Sequence, residues 1–293
     1  MNKQKIWQIY FALRYLVFEL RKHYIKLFYS DNEFSGNYWI KRDDELILSD
    51  KKLHFKTNTT RVGLNNDHKT LLKHINEFGS GLIPHKQLLD DPSKLAPLIL
   101  RANELLQKQD EIQEIAKKIT TTKKIFKVTI TELFNQDEIL NLITDSNITE
   151  IVGEYFGTEP YLYHANTQIW WDRHMVNDSK DSQLFHFDGE DPIMLKVFFY
   201  LTDVSEIDGP FTFIRKTHKF INKIGLIYHY GIHGISDSDL PSKVLSNVKK
   251  YVGASGDVIF ADTNGYHKGS VVSSKSAGRI LLTFTFITKW PTR

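Results

Sequence analysis

From residue 160 onward the chain is written in short runs of β-branched and aromatic residues, at 161–171, 193–203, 211–215, 257–261 and 279–287, each bounded by Gly, Pro, Asp or Asn. Such side chains suit a pleated, half-buried surface and the bounding residues turn the backbone, so each run reads as a strand. Upstream the pattern is helical. Apolar residues recur at spacings of three and four over 67–78 and 94–118, with shorter helices at 137–142 and 148–156, the last closed by Gly157. Gly79-Ser80-Gly81 punctuates, and Leu82-Ile83-Pro84 reads as a short strand. Helices first and many short strands afterwards predict a mostly β fold with flanking helices, a jelly roll or barrel buttressed on one face. Residues 219–255 interrupt the strands, and an insertion of that length over a barrel mouth is a lid candidate.

The chain has 293 residues, 41% hydrophobic and 25% charged, which is enough apolar material for one large core. It contains no cysteine, so disulfides, thiolate nucleophiles and Cys-ligated zinc or iron–sulfur centres are excluded. Any metal must be held by His, Asp, Glu or oxygen donors. The basic excess is confined to residues 1–30, where Lys3, Lys5, Arg14, Arg21, Lys22 and Lys26 face Glu19 alone. The remainder carries a slight negative excess, which argues against a nucleic-acid groove. Residues 4–29 read as a basic amphipathic helix, open to packing on its own domain or to a peripheral contact with a membrane or partner. Its apolar runs are too broken for a membrane span or a signal peptide, and a cytoplasmic location is the default expectation. The expected division is an N-terminal helix and extension over 1–66 and a second domain over 67–293.

His186-Phe187-Asp188 carries the first chemical signal. In extended backbone, residues two apart project to one face, so an imidazole and a carboxylate enter the same space. With a second histidine they make a facial triad suited to iron(II) and similar ions, with positions left open. The run 256–269 reads as turn, buried strand and turn, then delivers His267 into the next strand. Arg279 follows twelve residues later and opens an apolar strand. A guanidinium there needs an anionic partner, because an unpaired buried charge is very costly, and a dicarboxylate co-substrate would provide one. Thr283 lies on the Arg279 face of the same strand, and Gln168 on the strand before the metal motif is a further candidate to face a cofactor.

Residues from about 67 to 290 resemble the phytanoyl-CoA dioxygenase family of iron(II)/2-oxoglutarate oxygenases. The landmarks are Asn76-Glu77-Phe78-Gly79, Phe185-His186-Phe187-Asp188, the run 195–204, Asp208-Gly209-Pro210-Phe211, Thr217-His218-Lys219, and Gly256-Asp257 leading to His267 and Arg279. The loop at Arg215-Lys216-Thr217 departs from the family's Pro-Gly-Ser. The resemblance implies a double-stranded β-helix (jelly roll, cupin-like) with iron(II) on His186, Asp188 and His267. It implies 2-oxoglutarate held distally by Arg279 and assisted by Ser270, with O2 as the oxidant. Halogenating relatives lack the carboxylate that Asp188 supplies, so hydroxylation of a small-molecule, lipid or glycan-related substrate is the implied reaction.

Blander readings stand beside these. His218 fits a turn, His229 and His233 the surface, Trp170 and Trp171 the core, and Lys196 an edge position in solvent as readily as a ligand contact. Asp262 and Lys268 either orient His267 or lie on its loop. The alternative function is a non-catalytic jelly roll that binds a metal or ligand without turnover.

Overall fold

The computed structural model describes residues 63–108, 127–157, 160–163, 168–174, 181–189, 193–231 and 234–287, the strands Asn37–Lys41 and His54–Lys56, and isolated positions elsewhere. Most of the helix expected over 4–29, the far end of the 94–118 helix and His233 fall outside these residues; within the first, Leu13, Leu16, Val17 and Leu20 are helical and exposed. Among the described residues no helix is long and apolar enough to cross a membrane.

Twelve strands occur among the described residues: β1 (Asn37–Lys41), β2 (His54–Lys56), β3 (Ser80–Pro84), β4 (Lys127–Thr129), β5 (Tyr161–Tyr163), β6 (Gln168–Asp172), β7 (Met194–Tyr200), β8 (Phe211–Ile214), β9 (Val248–Tyr251), β10 (Asp257–Asp262), β11 (His267–Gly269) and β12 (Arg279–Ile287). The main sheet runs β2-β1-β5-β12-β7-β10-β3, with β6 also on β12 and β4 beyond it. The smaller sheet is β11-β8-β9. Every pairing is antiparallel except β1 with β5. This is the double-stranded β-helix with flanking helices. The run 161–171, read as one strand, is two. The segment 37–56, read as an extension, contributes β1 and β2 to the main sheet.

Alternation along the strands sorts side chains between two cores. On the outer face of the main sheet Leu195, Val197, Phe199, Val258, Phe260, Ile280, Leu282, Phe284 and Phe286 pack with the helices. Those helices are α1 (Asn66–Phe78), α2 (His85–Leu88), α3 (Ala96–Gln107), α4 (Gln136–Ile143) and α5 (Ser146–Phe156). Asn65 caps α1 by accepting from the His68 amide, and the helix contributes Leu71 and Ile75, one turn apart, to that core. On the inner face Phe198, Tyr200, Ile259, Ala261 and Leu281 meet Phe211, Phe213 and Tyr251 of the smaller sheet. Because both faces of β12 are covered, all nine of its residues are buried.

The segment 219–255 is only partly an interruption. It forms α6 (Phe220–Tyr230) and α7 (Ser242–Leu245), then returns as β9, an edge strand of the smaller sheet. Leu226, Ile227, Ile235 and Leu240 from this segment join Phe185, Phe187, Ile214 and Tyr266 in a third, smaller core.

Candidate metal centre and ligand cavity

Phe185 and Phe187 are fully buried in that third core, so the period of two turns His186 and Asp188 the other way, into the space between the sheets. Backbone bonds from His186 N to His267 O (3.1 Å) and from His267 N to His186 O (2.8 Å) set the two histidines opposite each other. Their ring centroids are 4.5 Å apart. Asp188 N donates to Thr263 O at 2.9 Å, fixing the third member. One ligand atom from each of His186, Asp188 and His267 lies within 4.8 Å of the others.

Both imidazoles are oriented by backbone carbonyls: His186 Nδ1 lies 2.8 Å from Leu184 O and His267 Nδ1 2.9 Å from Gly265 O. A carbonyl only accepts, so Nδ1 carries the proton and Nε2 presents its lone pair, the tautomer a metal ligand needs. Burial first, and then His186, pushes the His267 imidazole down to about 3. It is therefore neutral at pH 7. Burial alone would raise the Asp188 carboxyl, but the Lys196 ammonium holds it well below the usual carboxylate range. Two imidazoles with a carboxylate are the donor set that suits a divalent first-row ion. The residues therefore fit iron(II).

The cluster opens on a cavity of about 200 Å³ lined also by Asp172, Ser182, Gln183, Lys196, Phe198, Tyr200, Phe211, Gly269, Ser270, Arg279 and Leu281. Arg279 begins β12 and faces this cavity, as its place in the sequence predicts. Its anionic partner, however, comes from the protein: Nε and Nη2 donate to Asp172 Oδ2 at 2.9 and 2.7 Å. The two residues are register partners across β6 and β12, which the sequence does not reveal. Arg279 Nη1 and Asp172 Oδ1 are buried without a hydrogen-bond partner among the described residues. An orphaned guanidinium N–H beside a cavity is a place for a ligand oxygen, since a buried donor left unmade costs about 1–3 kcal/mol. Two glycines make room for the pair, one beside Arg279 and one beside the Asp172 backbone. At Gly269 an added Cβ would lie 3.0 Å from Arg279 Nη2, and at Gly278 (φ +91°) it would lie 2.1 Å from the Asp172 carbonyl oxygen.

The other expected residues divide. Ser270 lines the cavity, its Oγ 2.8 Å from Thr212 Oγ1. Gln168 and Thr283 are paired across β6 and β12 but are not among the cavity-lining residues; the Thr283 hydroxyl is buried without a hydrogen-bond partner among the described residues. Lys196 is no edge residue. It sits on β7, between β12 and β10, with Nζ 2.8 Å from Asp188 Oδ2. His218 bonds the Asn76 carbonyl through Nε2, His229 is exposed and Trp171 is core. Asp262 accepts from Tyr155 Oη at 2.5 Å, and Lys268 pairs with Asp237. Ser182, Gln183 and Asp172 were missed. The two polar residues precede the metal motif in a short 3₁₀ turn and carry no pattern that would mark them.

No family model matches the chain, and no curated protein matches it in sequence. Solved structures do match. AviO1 from Streptomyces viridochromogenes Tue57 is 12% identical, with a TM-score of 0.50 over 79% of this chain and 99% of its own. SnoN, a non-heme α-ketoglutarate-dependent epimerase of nogalamycin biosynthesis, is 14% identical, with a TM-score of 0.48 over 75% and 82%. HygX from Streptomyces hygroscopicus, with nickel and 2-oxoglutarate bound, is 13% identical, with a TM-score of 0.46 over 78% and 88%. At such identities the likeness concerns the fold.

Proposed function

We propose that this chain is an iron(II)- and 2-oxoglutarate-dependent dioxygenase that hydroxylates a small-molecule, lipid or glycan-related substrate. The observation that carries the reading is the convergence of His186, Asp188 and His267, both imidazoles locked with Nε2 available, on a cavity whose wall also holds Arg279. Iron(II) bound there with 2-oxoglutarate supplies the oxidising chemistry: O2 places one oxygen atom in a substrate C–H bond and the other in succinate, with loss of CO2. The protein's share is orientation and exclusion of water. His186, Asp188 and His267 would hold the ion. Arg279 offers Nη1 to the distal carboxylate of the co-substrate, while Asp172 keeps its guanidinium plane fixed. Phe198, Phe211 and Leu281 dry the walls. Ser270 is a neighbouring hydroxyl for the same co-substrate, and Gln168 and Thr283 would act at most through the strands that carry Arg279. Of residues 219–255, the part before β9 is the lid candidate, and residues 1–30 are a candidate for peripheral contacts.

Succinate release with iron(II), 2-oxoglutarate and O2 tests the reading; its absence, with 2-oxoglutarate binding also absent, refutes it. One observation favours a second reading, a metal-independent binding jelly roll: Lys196 already neutralises Asp188. Failure of the wild-type chain to take up a divalent ion would select it.

A further inference from the structure

Lys196 lines the cavity as a cation with no part in the function proposed above, on which this inference rests. Its side chain is 15% exposed and projects from the inner face of β7 beside Phe198 and Tyr200. A lysine in that position must give its ammonium an anionic partner. The partner is the carboxylate of the triad, at 2.8 Å, and His267 Nε2 lies 3.8 Å from the same oxygen. An ion held by the triad and the Lys196 ammonium therefore draw on one carboxylate.

The charges of the wall point the same way. Its carboxylates are Asp172 and Asp188, its cations Arg279 and Lys196, and each cation already has a carboxylate. These four charges cancel. A divalent ion would bring two positive charges that no described side chain of the wall offsets, so they fall to the ligand.

We propose that Lys196 is a resident counterion that the metal displaces. It holds Asp188 while the metal is absent. Once the metal takes that carboxylate, the ammonium becomes a cationic contact for the anionic group of the ligand beside the ion. The cavity then presents a cation near the metal and another, Arg279, where β12 begins, and the ligand class it suits is a dianion.

The test is calorimetric titration of the full chain under argon, with Co(II) alone and then with 2-oxoglutarate on the Co(II)-loaded protein. Lys196→Met should bind Co(II) about tenfold more tightly, because a competing cation is gone, and 2-oxoglutarate about tenfold more weakly. Lys196→Gln should do the same if the methionine chain folds poorly, and Lys196→Arg should leave both affinities within about threefold of wild type. Opposite signs in the two titrations are the signature, since loss of packing weakens both. Unchanged or weaker Co(II) binding in the uncharged variants overturns the proposal. If wild type binds Co(II) but not 2-oxoglutarate, the co-substrate reading falls, and the Co(II) titration alone decides the role of Lys196.

Discussion

Replacing Asp172 with asparagine should make the protein less stable and its hold on an anionic ligand stronger. The carboxylate receives two charge-assisted bonds from Arg279, at 2.9 and 2.7 Å, with the side chains only 6% and 9% exposed. Removing one partner of such a buried pair costs about 3–5 kcal/mol. The asparagine oxygen still accepts one bond, so the expected loss is about 2–4 kcal/mol in urea unfolding of the metal-free protein. The same change leaves the guanidinium charge uncompensated beside the cavity. One unit charge some 6 Å from a ligand anion is worth about 1.4 kcal/mol or more in a partly screened site, a gain of about tenfold for 2-oxoglutarate. Stability and affinity should thus move in opposite directions. A variant within about 0.5 kcal/mol of wild type would mean that Arg279 does not depend on Asp172. Weaker 2-oxoglutarate binding would mean that the pair positions the guanidinium more than it neutralises it.

Other consequences are open to direct measurement. His186→Ala or Asp188→Ala should abolish binding of one divalent ion per chain while the circular dichroism spectrum stays native; ion binding retained in both would remove the metal assignment. Arg279→Lys should raise the 2-oxoglutarate requirement more than about tenfold, or about 1.4 kcal/mol, read from the iron–keto charge-transfer band, because lysine loses the planar fork. Burial, and then the neighbouring Asp90, raises the Asp145 carboxyl to about 7, so the folded state keeps a proton that the unfolded chain has released. The stability this proton provides is present below the ordinary carboxylate range and lost as pH rises through about 7. Asp145→Asn should therefore flatten stability between pH 4 and pH 7, measured by urea unfolding across about that range. Hydrogen exchange over 219–247 should be faster than in β7 and β12 and should slow on ligand binding; equal protection in both states would end the lid assignment.

What the sequence discloses follows period and spacing. β12 is legible to the residue because nine consecutive residues, 279–287, are apolar, β-branched or aromatic apart from Arg279. His186 and Asp188 are legible because a separation of two sends them to one face whatever the register. Register itself is invisible. Nothing in the chain says that Asp172 stands opposite Arg279, so the arginine's partner is read as a ligand when the protein already provides one. Lys196 is misplaced for a related reason: a run such as Leu195–Thr202 does not declare whether it lies at an edge or in the middle of a sheet. The strands β1 and β2 are hidden because 30–66 is polar and lacks a period.

The central strand of the main sheet is also the last of the described strands in chain order. β7 has only β10 beside it until β12 arrives, and β5 and β6 have no link to β7 without it. On the ribosome, then, His186 and Asp188 emerge well before the strand that joins the two parts of the sheet beneath them, and His267 precedes it by only twelve residues. The cavity closes in one late, long-range event, after residues 279–287 have left the exit tunnel. Contacts of such sequence separation form slowly. Until then the nascent chain exposes unpaired apolar strand edges.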